Sequence, residues 1–215
     1  MENTLLTKLP IVFVHGRNAD SGVWGSLKRT LVQSGYPEDL LLTWDYDTSQ
    51  STNEILADKF DQYIRATGHS QIDIICHSLG ALPTRWWLKF RDGNTLTRNW
   101  ISLAGPNHGT VLGYLCALWD QGCKDMTPNS WVISHLNQDI ETPGPTHYTT
   151  FWSAQDEQII PPSSTRLAGA TNIEVSGLKH NDFLDSPDVF SHILKILAQP
   201  QMSKSTTSPM THSLQ

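Results

Sequence analysis

The amino-acid sequence predicts an α/β fold in which helices cover both faces of a mostly parallel sheet. Segments with strand-like and helix-like hydrophobic patterns alternate at least five times along the chain, which favours parallel strands joined by helices. The first segment, residues 11–14, is a continuous apolar run, typical of a strand that is buried on both faces. In such sheets, functional side chains lie at the carboxyl ends of the strands.

The first half of the chain predicts three strands and three helices. Apolar residues at helical spacing, such as Val23, Leu27 and Leu31, indicate the helices, and short apolar runs indicate the strands. A Ser51–Glu54 capping box opens the second helix, and Gly68 ends it. In order, we expect a strand at 11–14, a helix at 23–32, a strand at 40–46, a helix at 52–67, a strand at 72–76 and a helix at 79–90.

The second half predicts strands at 100–104, 148–153 and 172–175. Between the first two lies an irregular segment, residues 107–146, with one helix expected near 130–136. This segment is too short for a large cap domain, so we expect a fairly open cleft. The last helix begins with Ser186 as its N-cap and Pro187 as its first residue, a strong start signal, and runs to about residue 197.

The composition indicates one globular domain. The chain has 215 residues, of which 38% are hydrophobic and 17% charged. We expect an N-terminal lead-in at 1–8, a single α/β domain at 9–198 and a disordered, Ser/Thr/Pro-rich tail at 199–215. The net charge is −6 and no run is rich in Lys or Arg, so we expect no nucleic-acid partner.

Neither a transmembrane segment nor a secretory signal peptide is visible in the sequence. We therefore expect a cytoplasmic protein, or a secreted or periplasmic one if the N-terminus has been trimmed. The three cysteines favour reduced thiols, although Cys116 and Cys123 are close enough in sequence to form a bridge. No Cys/His spacing typical of zinc occurs, so we expect neither a metal nor another cofactor.

Ser78 is the candidate nucleophile because it stands where the strand at 72–76 turns into a helix. Strand and helix approach closely at such a turn, so the positions two before and two after the serine must be small. Here they are Cys76 and Gly80. Cys76 breaks the strict G-x-S-x-G pattern but keeps its size. The alternative is an ordinary serine N-cap at a strand–helix turn.

The N–H groups of Leu79 and Arg17 are the candidate donors of an oxyanion hole. Leu79 follows the nucleophile directly, and Arg17 follows Gly16 in the loop after the first strand. A plain glycine turn at this loop is the alternative.

His180 is the candidate general base, since it lies in the loop between the last strand and the last helix. His108 is its rival, although it precedes every plausible acid. Asp156 follows the strand at 148–153 and lies 24 positions before His180, so it is the candidate acid. Glu157 is the fallback for that role.

With these residues assembled, the chain resembles the α/β-hydrolase superfamily, and within it the small lipases of class 2, over residues 10–197. The resemblance rests on the segments around His15-Gly16, His77-Ser78-Leu79-Gly80, Asn107-His108-Gly109 and Lys179-His180. It implies an α/β-hydrolase domain and cleavage of small-molecule or lipid esters through an acyl-enzyme, without a cofactor. Members with a cysteine pair at the region of Cys116 and Cys123 use it as a disulfide.

Four other functions are compatible with the same residues. An acyltransferase, a thioesterase or a polyester depolymerase would use the same serine, acid and histidine. A non-catalytic binding protein with this fold belongs to a different class. It would normally have lost part of the triad, whereas Ser78, Asp156 and His180 are all present.

Overall fold

A six-stranded sheet forms the centre of the protein, as described for residues 8–199 by a computed structural model. All neighbouring strands run parallel, in the order β2-β1-β3-β4-β5-β6. The strands are β1 Ile11–Val14, β2 Leu41–Trp44, β3 Ile72–His77, β4 Thr97–Leu103, β5 His147–Trp152 and β6 Thr171–Glu174. The α/β prediction is confirmed.

Six α-helices accompany the sheet in the described residues: α1 Gly25–Gln33, α2 Asn53–Thr67, α3 Ala81–Phe90, α4 Gln121–Asp125, α5 Trp131–Asn137 and α6 Pro187–Leu197. Two hydrophobic cores lie on opposite faces of the sheet. Val12 and Val14 of β1 belong to the core that contains the apolar faces of α2 and α3. Ile11 and Phe13 belong to the core that contains those of α1 and α6. Successive residues of β1 therefore point alternately into the two cores. Because both faces of the strand are buried, its whole run is apolar.

The predicted capping box at Ser51 is wrong. The N-cap of α2 is Thr52, which makes no side-chain cap bond. Instead, the Asn53 N–H donates to Oδ2 of Asp125, 72 residues away, at 3.0 Å. A carboxylate brought in by the tertiary fold thus takes the place of a local cap. At α6 the prediction is confirmed, since Ser186 accepts from the Val189 N–H.

The segment between β4 and β5 has more local structure than expected. It contains a 3₁₀ turn at Val111–Leu115 and the short helix α4, besides the predicted α5. Cys116 and Cys123 form a disulfide, so the expectation of reduced thiols is wrong for this pair. The turn into α4 brings their Cα atoms to 5.6 Å, a separation that suits a bridge. Cys76 is a buried free thiol.

Most of the predicted tail and lead-in, residues 1–7 and 200–215, lies outside the described residues. Between residues 8 and 199, no helix is both long and apolar enough to cross a membrane.

Candidate active site

Ser78 lies at the carboxyl end of β3, in a 3₁₀ turn that leads into α3. Its φ is +51°, the left-handed backbone expected of a strained nucleophile turn. A Cβ on Gly80 would lie only 2.6 Å from the His15 carbonyl oxygen and 2.7 Å from that of Val14. The close approach of β1 therefore requires glycine at position 80.

Cys76 fits its place because it points into the core beneath the turn. The side chain is fully buried, and its thiol contacts the Ile101 carbonyl oxygen at 3.5 Å. Burial raises the pKa of this thiol to about 12, so it stays protonated and acts as a small packing group.

The structure brings Ser78, His180 and Asp156 together. His180 Nε2 lies 2.9 Å from Ser78 Oγ, and His180 Nδ1 lies 3.0 Å from Asp156 Oδ2. All three residues are buried. The imidazole thus joins the hydroxyl to the carboxylate, although the three residues lie in three different loops of the sequence.

Asp156 is held as a carboxylate by several donors. Burial raises its pKa, and the hydrogen bond and charge of His180 act against this effect. The backbone N–H groups of Ile159 and Gln158 also donate to Asp156 Oδ1, at 3.0 and 2.8 Å. Together they hold the pKa of Asp156 below its usual value.

Glu157, the alternative acid, and His108, the alternative base, have other partners. Glu157 accepts from the backbone N–H of His180 at 3.1 Å, so it contacts the main chain of His180 and not its ring. His108 Nε2 lies 2.9 Å from Glu141 Oε1. His108 and Glu141 line a second pocket that contains neither Ser78 nor His180.

The two predicted oxyanion donors flank Ser78. Leu79 follows it in the 3₁₀ turn. Gly16 packs so closely that an added Cβ would lie 2.8 Å from Ser78 Cβ, which places the next residue, Arg17, beside Ser78. The donor roles of the Arg17 and Leu79 N–H groups stay predictions.

Two buried residues of the site were not predicted as functional. Asp120 pairs with the side chain of Arg17, with 2.7 Å between Oδ2 and Nη2. The 103 positions between the two residues leave no local signal for this pair. The second is His77, whose Nε2 lies 3.0 Å from the His180 carbonyl oxygen.

A pocket of about 630 Å³ opens above the catalytic candidates. Its lining combines Ser78 and His180 with Gly16, Arg17 and residues from the segment between β4 and β5. Within residues 8–199, no cluster of three or more His, Cys, Asp or Glu side chains is arranged to hold a metal ion.

Solved structures with a similar fold include several lipases. Mature lipase BlEst2 from Bacillus licheniformis is 19% identical with a TM-score of 0.71, over 88% of this chain and 92% of that protein. Lipase B from Aspergillus fumigatus is 20% identical with a TM-score of 0.74, over 89% and 53%. Phospholipase PlaB from Legionella pneumophila is 16% identical with a TM-score of 0.73, over 90% and 60%. The chain thus spans almost all of the first protein but little more than half of the other two.

At these identities the structural similarity shows a shared fold. The sequence itself is more specific, because the family model described as Lipase (class 2) matches residues 8–193, which include every strand and all three of Ser78, Asp156 and His180. The chain therefore belongs to the lipase class 2 family, within the α/β-hydrolase superfamily.

Proposed function

We propose that this protein hydrolyses carboxylic esters of lipids through an acyl-enzyme on Ser78. The observation that carries the proposal is the buried imidazole of His180, 2.9 Å from Ser78 Oγ and 3.0 Å from Asp156 Oδ2. Family membership supports ester hydrolysis in general. The assignment of roles to individual residues rests on the geometry.

The first half-reaction follows from the proton positions. An ionised Asp156 can only accept, so His180 carries its proton on Nδ1 and presents the Nε2 lone pair to the Ser78 hydroxyl. Ser78 Oγ attacks the ester carbonyl carbon, and its proton moves to His180 Nε2. The N–H groups of Arg17 and Leu79 hold the resulting oxyanion, each contributing about 2.7–4 kcal/mol. The C–O bond to the alcohol then breaks, and the alcohol oxygen takes the proton from Nε2.

The second half-reaction repeats these steps with water. His180 Nε2 accepts a proton from water as its oxygen attacks the acyl carbon, and the same donors hold the oxyanion. The bond to Ser78 Oγ breaks, Oγ regains the proton, and the carboxylic acid leaves. Asp156 stabilises the imidazolium that forms in both halves.

An exposed apolar surface supports a lipid as the substrate. We call it the apolar ridge: the exposed side chains of Val111, Leu112, Tyr114, Leu115, Leu118 and Trp119. Leu118 is 93% exposed and Trp119 71%. The segment from 109 to 119 contains no Lys, Arg, Asp or Glu, and Leu112, Gly113 and Cys116 line the pocket itself. An uncharged apolar surface beside the pocket suits the acyl chains of a neutral lipid surface.

The nucleophile is tested with p-nitrophenyl esters of increasing acyl length. Wild type and the exposed-site control Ser191→Ala should hydrolyse them and be labelled by a fluorophosphonate, whereas Ser78→Ala should do neither. Equal activity of Ser78→Ala and wild type would overturn the nucleophile, and an inert, unlabelled wild type would favour a binding protein. A primary alcohol added as competing acceptor separates hydrolysis from acyl transfer.

The apolar ridge is tested with the double variant Leu118→Ser, Trp119→Ser. It should keep wild-type rates on a water-soluble short-chain ester and lose most of its rate on an emulsified triacylglycerol. The matched control is Val32→Ser, Ile55→Ser, which removes exposed apolar side chains from α1 and α2. Equal rates of both double variants on the emulsion would refute the lipid-surface role.

We also propose that the protein works in an oxidising compartment, as a secreted or periplasmic enzyme. The Cys116–Cys123 disulfide supports this location over the cytoplasm, where such bridges are reduced. Denaturation of freshly taken source material in the presence of an alkylating reagent, followed by mass measurement, should trap one free thiol, Cys76, in the described chain. Three alkylated thiols in a cytoplasmic fraction would refute the proposal.

A further inference from the structure

His77 is a second buried imidazole at the candidate active site. It is the last residue of β3, directly before Ser78, and is 4% exposed. Its ring centroid lies 4.8 Å from that of His180. Its Nε2 lies 3.0 Å from the carbonyl oxygen of His180 and 103 positions from it in sequence.

We propose that His77 is a positioning residue that holds the main chain of His180, so that the His180 ring faces Ser78. This inference rests on the proposed function, in which His180 is the base. It adds one condition to the three triad residues: the hydrogen bond from His77 to the His180 carbonyl oxygen must be intact.

The proton positions on His77 follow from its partner. A carbonyl oxygen can only accept, so the hydrogen bond requires a proton on His77 Nε2. Burial, with the nearby His180 as a smaller cause, lowers the pKa of His77 to about 3, so the ring is neutral near pH 7. Nδ1 then carries no proton. It faces Gly16, where an added Cβ would lie 3.2 Å from it.

The main chain of His180 is therefore held from both sides. Its N–H donates to Glu157 Oε2 at 3.1 Å, and its carbonyl oxygen accepts from His77. The ring is held separately by Asp156. His180 lies in the loop between β6 and α6, outside the hydrogen-bond ladder of the sheet. The side chains of Glu157 and His77 hold its main chain in place instead.

His77 also lies next to the proposed nucleophile. Ser78 is its direct neighbour, and Gly16 of the oxyanion loop packs against both residues. A single imidazole thus joins the strand that carries the nucleophile to the loop that carries the base. A loss of this bond would let the His180 loop shift, and a displacement of about 1 Å at a catalytic group can lower a rate by about a hundredfold.

The proton assignment is tested on wild-type protein by ¹⁵N NMR of the histidine rings. We expect His77 to show a protonated Nε2 and an unprotonated Nδ1 at neutral pH. The opposite tautomer, or a doubly protonated ring, would overturn the proposal without any variant.

The positioning role is tested with His77→Gln, His77→Asn and His77→Leu. The Gln amide can place its N–H near the position of Nε2, whereas the Asn amide is one methylene shorter and Leu has no donor. We expect His77→Gln to keep kcat within about threefold of wild type and the other two to lose about tenfold or more, with KM little changed, as for loss of one orienting hydrogen bond. Circular dichroism and urea unfolding show whether each variant is folded.

A second readout does not depend on turnover. The low-field ¹H NMR signal of His180 Nδ1–H, hydrogen-bonded to Asp156, should persist in His77→Gln and be broadened or shifted in His77→Asn and His77→Leu. Equal signals and equal kcat in all three folded variants would show that His77 is only a packing residue. If wild-type protein were inert, the proposed function would fail, while this NMR comparison would still decide the contact.

Discussion

The guanidinium of Arg17 and the carboxylate of Asp120 pair beside the pocket, with Arg17 Nη2 and Nε 2.7 and 2.9 Å from Asp120 Oδ2. The other carboxylate oxygen of Asp120 caps α4 by accepting from the Cys123 N–H at 2.8 Å. One buried carboxylate thus joins the proposed oxyanion loop to the segment that carries the disulfide and the apolar ridge.

Asp120→Asn should lower kcat about tenfold on a soluble ester, because the amide NH2 that replaces Oδ2 cannot accept from the Arg17 guanidinium, so the Arg17 backbone N–H can move away from the oxyanion. Oδ1 of Asn can still cap α4, so the fold should persist. The measurement is steady-state kinetics with a p-nitrophenyl ester. Asp58→Asn, which removes the exposed pair of Asp58 with Arg91, is the control and should match wild type. A wild-type kcat for Asp120→Asn would show that the pair does not position the loop.

Asp156→Asn should lower kcat by about 10⁴-fold, the loss seen when an amide replaces the acid of a triad and imposes the wrong histidine tautomer. Glu157→Gln should cost less than about tenfold, because a Gln oxygen can still accept from the His180 backbone N–H. Single-turnover kinetics on a chromogenic ester compare the two. If Glu157→Gln were the more damaging change, the acid would have to be reassigned to Glu157.

The buried His77 should make the fold less stable as the pH falls. Burial lowers the pKa of His77 from 6.5 to about 3, so between these values the unfolded chain binds more protons than the folded one. The free energy of unfolding therefore falls as the pH falls through this range, by at most about 1.4 kcal/mol per pH unit for one such proton. The lowered pKa of Asp156 acts in the same direction at more acidic pH.

Urea unfolding between pH 7 and pH 3 measures this dependence. His77→Gln removes the titrating ring, so its free energy of unfolding should fall less steeply between pH 6.5 and pH 3 than that of wild type. Parallel pH profiles for the two proteins would mean that His77 is not held neutral by the fold.

Arg85 should be a stability residue. It is 2% exposed on α3 and donates to the carbonyl oxygens of Asn107 and Leu136 and to the Asn137 side chain, which ties α3 to the segment between β4 and β5. Burial lowers its pKa to about 10, so it still carries its charge near pH 7. Arg85→Lys loses the planar fork and should cost about 2–3 kcal/mol of the free energy of unfolding.

Chemical denaturation gives that free energy for Arg85→Lys and for its control, Arg91→Lys. Arg91 is paired with Asp58 at the surface, so its replacement should change stability by less than about 1 kcal/mol. Equal effects at the two positions would show that the buried contacts of Arg85 are not stabilising.

The fold was predictable because its signals are local. The buried run of β1, the helical spacing of α1 and the N-cap of α6 each follow from a few neighbouring residues. Ser78, Asp156 and His180 could be expected to lie close together, because each follows a strand and parallel strands end at the same edge of the sheet.

The missed features depend on contacts between distant residues. Asp125 replaces the local cap at Asn53 from 72 positions away, and Asp120 reaches Arg17 across 103. Helix α4 has five residues, too few for a hydrophobic period to be visible. The contact of His77 with the His180 carbonyl oxygen depends on where the His180 loop lies, which no pattern around position 77 encodes.

The outer strands of the sheet, β2 and β6, have a consequence for how the protein behaves at high concentration. Each is four residues long and lies at one end of the strand order. Such short edges expose few unpaired backbone groups, so a second molecule finds little template for extending the sheet. Self-association should therefore occur through the apolar ridge, as reversible clustering that a mild detergent disperses, and not as fibrils.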